Sequence, residues 1–213
     1  MPIKGVLFDL DGTLIDTNEL IFQSFEYALD AVLHTSVPRH LLTFTFGKPL
    51  QQIMQELGGS QAEPLRQAFV EYTLAHEDQI SLFPGVEDAL RQLKAMGIGT
   101  ALVTSRLYRG AKRDLDLFQL AGYFDVFITP ESTQHHKPHP EPAQKALAAL
   151  QLAPQQAIFV GDSSHDLQCG KAAGCQTAAV RYSLFHPEEL LLQKPDYLLD
   201  SLLELVTIVE GNL

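Results

Sequence analysis

From Phe83 onward, short apolar runs alternate with stretches whose apolar residues recur every three or four positions, and nothing else in the chain restricts its fold so tightly. Residues 100–103, 125–129, 157–160, 177–180 and 197–199 read as strands. Helical patterns separate them. One carries Val86, Ala89, Leu90 and Leu93 and closes at Gly97, and others lie near 107–120, at 141–152 and from about Asp166. A last helix follows the capping-box pair Ser201 and Glu204. The run Ala157-Ile158-Phe159-Val160 is apolar throughout, as in a strand buried on both faces. Strands joined through helices pair in parallel, so the expected class is α/β, a parallel sheet wrapped by helices.

A further strand, Val6-Leu7-Phe8, precedes this region, and between the two lie about 65 residues of helical pattern. Ile21, Phe25, Ala28, Leu29 and Val32 mark one helix, with Asp16 or Thr17 placed to cap it. A second opens at Pro49, carries Leu50, Ile53, Met54 and Leu57, and stops at Gly58-Gly59. A third begins at Pro64 and runs through Leu65, Phe69 and Tyr72. The expected division is a core domain of residues 1–16 and 83–213, interrupted by an all-helical domain of residues 17–82. A length of 213 residues suits one domain with such an insert.

Composition excludes some functions. Lysine and arginine total 15 against 26 acidic residues, a formal charge of -11, which argues against a nucleic acid partner. No signal-peptide core and no apolar run long enough to span a bilayer is present, so a cytoplasmic protein without a membrane partner is expected. Cys169 and Cys175 then read as reduced, buried thiols rather than a disulfide. Monomer and homodimer are both open.

Four clusters can carry chemistry. The run of residues 6–8 ends in Asp9 and Asp11, followed by Gly12 and Thr13. On an extended strand these carboxylates would face one spot at the strand end, able to hold a divalent cation and to supply a nucleophile and a proton carrier. An acidic surface turn is the alternative. Thr104-Ser105-Arg106 follows an apolar strand, where a hydroxyl and backbone N–H groups can hold phosphate oxygens or simply form a turn. Lys137 lies in HHKPHPEP, a loop stiffened by prolines, and is either an anion ligand or a solvated lysine. His135, His136 and His139 lack a ligand spacing and read as structural or surface residues. Gly161-Asp162-Ser163-Ser164-His165-Asp166 places two carboxylates four apart at a strand-to-helix junction, fit for Mg²⁺ or for capping the helix.

In this order (DxDGT, strand-Thr-Ser, Lys-Pro, GDxxxD) the clusters resemble the haloacid dehalogenase-like hydrolase superfamily over nearly the whole chain. FDLDGTLIDTNEL and KPHPEP look most like its phosphoglycolate phosphatase group and the bacterial pyrophosphatase relatives. The resemblance implies a Rossmann-like core with a helical cap, and Mg²⁺-dependent hydrolysis of a small phosphorylated metabolite, inorganic pyrophosphate being the alternative substrate. It also implies roles. Asp9 attacks phosphorus; Asp11 protonates the leaving group and later activates water. Mg²⁺ is held by the Asp9 carboxylate, the Asp11 backbone carbonyl and Asp162, with Asp166 supporting it directly or through water. Thr104 and Lys137 bind the phosphoryl oxygens, helped by N–H groups near Leu10, Asp11 and Ser105. Gly47 and Lys48, in Phe46-Gly47-Lys48-Pro49, and Arg106 are the candidates for substrate selection.

Dehalogenation is disfavoured by the intact Asp11, Asp162 and Asp166. A sugar phosphomutase would keep the same residues, but the DGT form of the first motif points to hydrolysis. A phospho-aspartate receiver module would lack the long helical insert.

Overall fold

A computed structural model describes residues 1–42, 48–182 and 187–212. Eight strands follow in chain order: β1 Gly5–Phe8, β2 Ile15–Asp16, β3 Ser81–Leu82, β4 Gly99–Val103, β5 Val126–Ile128, β6 Ala157–Gly161, β7 Gln176–Val180 and β8 Tyr197–Leu199. Six of them form one parallel sheet in the order β5-β4-β1-β6-β7-β8. The chain therefore winds outward from β1 in one direction and then returns to wind in the other. The crevice beyond the carboxyl ends of β1, β4 and β6 is the switch point where such sheets bind ligands.

The helices are α1 Asn18–Leu33, α2 Arg39–Leu42, α3 Leu50–Gly58, α4 Ala62–Ala75, α5 Val86–Ala95, α6 Tyr108–Leu117, α7 Glu141–Leu150, α8 Ser164–Ala173, α9 Pro187–Leu192 and α10 Leu202–Glu210. Strand parity sorts the core into two layers. Val6, Phe8, Leu102, Ile158 and Val160 face α5, α6 and α10, whereas Leu7, Ala101, Val103, Ala157 and Phe159 face α7 and α8. Both faces of the central strands are thus covered, which is why their sequences are apolar throughout.

α1, α3 and α4 enclose a separate apolar cluster built on Phe25, Leu29, Ile53, Met54, Leu65 and Phe69. The Phe25 and Phe69 rings lie 4.7 Å apart, and each such buried ring stabilises the packing by about 1.5–3 kcal/mol. The chain enters and leaves these helices through β2 and β3, an antiparallel pair with Ile15 opposite Leu82 and Asp16 opposite Ser81. Two residues per strand leave no readable alternation, and neither strand was expected from the sequence.

Other departures concern helix ends. α4 begins at Ala62, two residues before Pro64, because a proline in the first turn lacks only an N–H that has no helical partner. Pro49 occupies the N-cap of α3 rather than its first turn. Thr17 is the N-cap of α1, yet its hydroxyl makes no capping bond. It donates to Asp11 instead, and the Asn18 N–H finds the Asp16 carboxylate at 3.3 Å.

Two glycines are needed for the site. Gly12 has φ of 75° and reverses the chain after the first motif. At Gly161 a Cβ would lie 2.3 Å from the Cβ of Asp166, so only glycine lets the start of α8 close over the end of β6. Both cysteines are free and buried in the layer beneath α7 and α8, and burial pushes the thiols up to about 11 at Cys169 and about 12 at Cys175.

Candidate active site

Three βα junctions converge beyond the carboxyl end of β1. Asp9 follows β1 directly, its N–H bonded to the Val160 carbonyl of β6 at 3.0 Å. Asp162 follows β6, and Asp166 lies in the first turn of α8. All three carboxylates are buried, and each offers an oxygen within 4.8 Å of the other two. Lys137 reaches them from the loop before α7, its ammonium 2.8 Å from Asp9 Oδ1 and 2.6 Å from Asp166 Oδ1. Lys137 is itself buried, so the solvated-lysine reading does not hold.

The loop carrying Lys137 is tied down on both sides. Glu141 accepts the N–H groups of Gln134 and His135, and Lys145 donates to the Ser132 carbonyl. His135 pairs with Glu141 and stacks on His139, while His136 contacts the Thr133 hydroxyl. The histidines thus brace the loop, and His135 and His139, without a ligand spacing in sequence, come with Glu141 to within 4.8 Å of one another at the surface.

Asp166 does two things at once. It completes a capping box with Ser163, accepting the Ser163 N–H at 3.1 Å while its own N–H reaches Ser163 Oγ at 3.3 Å. Its other oxygen holds Lys137. The sequence offers helix capping and metal binding as alternatives here; the capping box is present, and the S-x-x-D spacing of Ser163 and Asp166 is its signal.

Electrostatics at the cluster are unbalanced. Burial, and then the Asp166 carboxylate, push Asp9 up to about 7 against the opposing pull of Lys137. Burial works against the Lys137 ammonium too, but Asp166 and Asp9 outweigh it and hold the lysine well above its usual range. Three carboxylates face one ammonium. This hard-oxygen donor set with a charge deficit fits a divalent cation such as Mg²⁺.

Thr104 follows β4 directly, with its N–H on the Ile128 carbonyl at 3.0 Å. Its Oγ1 accepts the Arg106 N–H at 3.1 Å, the turn foreseen as the alternative to phosphate binding. That bond uses a lone pair and leaves the hydroxyl proton available as a donor. Thr104, Ser105 and Lys137 line one small recess.

Asp11 lies in the turn beyond β1. β1 ends at Phe8, and the Leu10 carbonyl gathers the N–H groups of Leu14 and Ile15, so the strand stops before Asp11, yet the Asp11 charge still bears on Asp9. The Asp11 carboxylate accepts from Thr17 Oγ1 at 2.7 Å and from Arg106 Nη2 at 2.5 Å and Nε at 3.1 Å. Arg106, a candidate for substrate, is therefore engaged with Asp11, and also with the buried Asp114. Lys48 pairs with Glu56 at 2.8 Å, and its charge helps to hold His165 below the usual histidine range, after burial and alongside Lys137. Gly47 lies outside the described residues.

The sequence profile of the haloacid dehalogenase-like hydrolases matches residues 6–180. The chain belongs to this family. Pyrophosphatase PpaX of Bacillus cereus is 37% identical over 212 residues, covering 99% of this chain and 98% of the relative. Among solved structures, a predicted phosphoglycolate phosphatase from Haemophilus somnus superposes with a TM-score of 0.85 at 27% identity, covering 97% of each chain. A predicted phosphatase from Clostridium acetobutylicum gives 0.86 at 26% identity, covering 99% of this chain and 100% of that one. Among the described residues no helix is long and apolar enough to cross a membrane.

For this family member the Asp9 shift has a thermal consequence. A carboxyl raised from 3.8 to about 7 binds its proton more tightly folded than unfolded. Its contribution to stability is therefore full below 3.8 and is lost as pH rises toward about 7. Bound cation should remove this penalty, so the Tm gap between Mg²⁺ and EDTA is expected to widen between pH 5.5 and 8. With Mg²⁺ about 100-fold above its Kd the gap should reach roughly 5–10 °C, checked by differential scanning fluorimetry. A gap that narrows with rising pH would contradict the assignment.

Proposed function

We propose that this protein is a Mg²⁺-dependent phosphatase that hydrolyses a small phosphorylated metabolite through an aspartyl phosphate on Asp9. The observation that carries the reading is the buried Lys137 ammonium shared by Asp9 and Asp166 beside Asp162. Lys137 opposes the burial that favours protonation of the nucleophilic carboxylate, and it offers positive charge to an incoming phosphoryl group. Asp9, Asp162, Asp166 and the Asp11 carbonyl would hold Mg²⁺, which supplies Lewis-acid neutralisation of the phosphoryl oxygens.

In the first half-reaction an Asp9 oxygen forms a bond to phosphorus as the bond to the leaving oxygen breaks. Asp11 gives that oxygen a proton. In the second, Asp11 takes a proton from water, whose oxygen attacks the aspartyl phosphate and releases phosphate and free Asp9. The Thr104 hydroxyl, the Ser105 N–H and Lys137 bear on the equatorial oxygens, where positioning and charge neutralisation do most of the work.

We assign residues 17–82 to a cap that selects the leaving group, with Lys48 as its reach toward substrate. Lys48→Ala is then expected to raise KM about 10-fold with kcat within about 2-fold, read from steady-state kinetics. No change in either would remove Lys48 from the site.

A second substrate, inorganic pyrophosphate, is favoured by the identity with the Bacillus cereus pyrophosphatase. The experiment is a phosphate-release screen in Mg²⁺ over small phosphorylated metabolites, including phosphoglycolate and pyrophosphate. Silence across the whole panel would overturn the phosphatase reading.

A further inference from the structure

The loop that carries Lys137 has two faces. Lys137 turns inward to Asp9 and Asp166, whereas His135 and His139, two residues to either side of it, are exposed. The chain reverses between them, with the His139 N–H on the His136 carbonyl at 2.9 Å. That turn makes neighbours of two imidazoles four positions apart, and their rings stack with centroids 4.4 Å apart. Both rings also turn Nδ1 to Glu141, at the start of α7. His135 Nδ1 lies 3.0 Å from Glu141 Oε2, and His139 Nδ1 accepts the Glu141 N–H at 3.2 Å.

Packing gives little reason for two imidazoles here, because a stack of exposed rings removes little area from water. Coordination gives a better one. The Glu141 carboxylate is ionised, pushed down to about 2 by the N–H groups of Gln134 and His135. An ionised carboxylate only accepts, so His135 Nδ1 presents a proton to it. His139 Nδ1 faces an N–H donor and is therefore the bare nitrogen of its ring. Ligand atoms of the three side chains lie within 4.8 Å of one another. Tetrahedral Zn²⁺, with bonds of about 2.0–2.2 Å, sets its ligand atoms about 3.3–3.6 Å apart. The His135–Glu141 edge is already shorter than that, and His139, exposed at the surface, closes the rest by turning its ring. The opposing charge on this face is Lys145, 3.1 Å from Glu141 Oε1. It sits on the other carboxylate oxygen and has a second partner in the Ser132 carbonyl at 2.6 Å.

We propose that His135, His139 and Glu141 form a surface site for a Zn²⁺-type cation, which clamps the Lys137 loop to the first turn of α7. The cation replaces the Nδ1 proton of His135, which moves through water to Nε2 and leaves the ring neutral. At His139 it replaces the Glu141 N–H, which belongs to a first helical turn, has no helical acceptor and takes water instead. Three protein ligands leave the fourth position to water. Imidazole nitrogen suits Zn²⁺ and its neighbours in the transition series, while Mg²⁺ keeps to oxygen, so this site and the buried carboxylates of Asp9, Asp162 and Asp166 select different ions. The clamp closes across Lys137 without touching it, and it does not depend on the phosphatase reading.

The test is Zn²⁺ binding to the whole protein in excess Mg²⁺, followed by isothermal titration calorimetry, with the ion located by anomalous scattering at the zinc edge. His135→Ala and His139→Ala should each weaken binding by about 10-fold or more. Both side chains are exposed, so neither substitution threatens the fold. Asp162→Asn, in the buried cluster, should leave this Zn²⁺ in place. The clamp itself is read by hydrogen exchange. With Zn²⁺ about ten times above its Kd, amides of residues 134–141 that exchange through local opening should slow about 10-fold in the wild type and not in His139→Ala. Zn²⁺ that binds both histidine variants with unchanged affinity, or that is lost with Asp162→Asn alone, is adventitious or belongs to the buried carboxylates, and either result overturns the proposal. A bound ion that leaves exchange of the loop unchanged overturns the clamp.

Discussion

Asp9→Asn is expected to lower kcat by about 10⁴-fold or more and to abolish the acid-stable labelling that a trapped phosphoenzyme would give. The amide has no anionic oxygen with which to attack phosphorus, and it is a poor ligand for a hard cation. The same substitution should stabilise the metal-free fold. Asp9 is pushed up to about 7 by burial and by Asp166, so above that pH the folded protein carries the cost of an unwelcome charge. Removing it should raise Tm in EDTA while erasing most of the stabilisation by Mg²⁺, a loss of function coupled to a gain in stability. Activity above a few per cent of wild type would refute the nucleophile assignment, and an unchanged response to Mg²⁺ would remove Asp9 from the metal site.

Lys137→Met is expected to be damaging twice over. Methionine fills the volume of the lysine stem but leaves Asp9 and Asp166 buried without their ammonium, beside Asp162. Breaking a buried ion pair from one side costs about 3–5 kcal/mol, which for a chain of this size is a Tm loss of roughly 10 °C. Loss of a fixed cation at the phosphoryl oxygens should cost a further factor of about 10²–10³ in kcat. Mg²⁺ should return part of the lost stability, because it brings charge to the same carboxylates, but not the activity. The measurements are Tm with and without Mg²⁺ and steady-state kinetics at saturating metal. A variant as stable as wild type in EDTA would mean that the three carboxylates do not depend on Lys137.

The parts of this molecule that were legible in its sequence are those governed by local rules. Ala157-Ile158-Phe159-Val160 announced a strand covered on both faces, and β6 is buried along its length. The Gly-Asp-Ser-Ser-His-Asp run announced a carboxylate site at a strand-to-helix turn, and Asp162 and Asp166 lie there with Gly161 making room for the helix. Even Lys137 was found, because prolines on one side mark a loop whose backbone is held. The two-residue strands β2 and β3 were not found, since their only partner lies more than 60 positions away in sequence. Asp11 was placed by strand periodicity, which stops applying beyond Phe8, where β1 ends.

By itself the sequence determined the α/β architecture and the helical run between the first strand and the rest of the sheet. Each depends on contacts within a few residues: apolar periodicity, caps, and turns that only glycine or proline favours. Only the tertiary structure decided what the charged side chains do to one another. Asp9 and Asp11, two residues apart, bond directly to different partners, Asp9 to Lys137 and Asp11 to Arg106 and Thr17, while the Asp11 charge still bears on Asp9. The buried Asp114 is paired with Arg106 only because α6 brings it back to that side chain. Electrostatic energy depends on separation in space and on burial, and neither quantity is written in the spacing of residues along a chain.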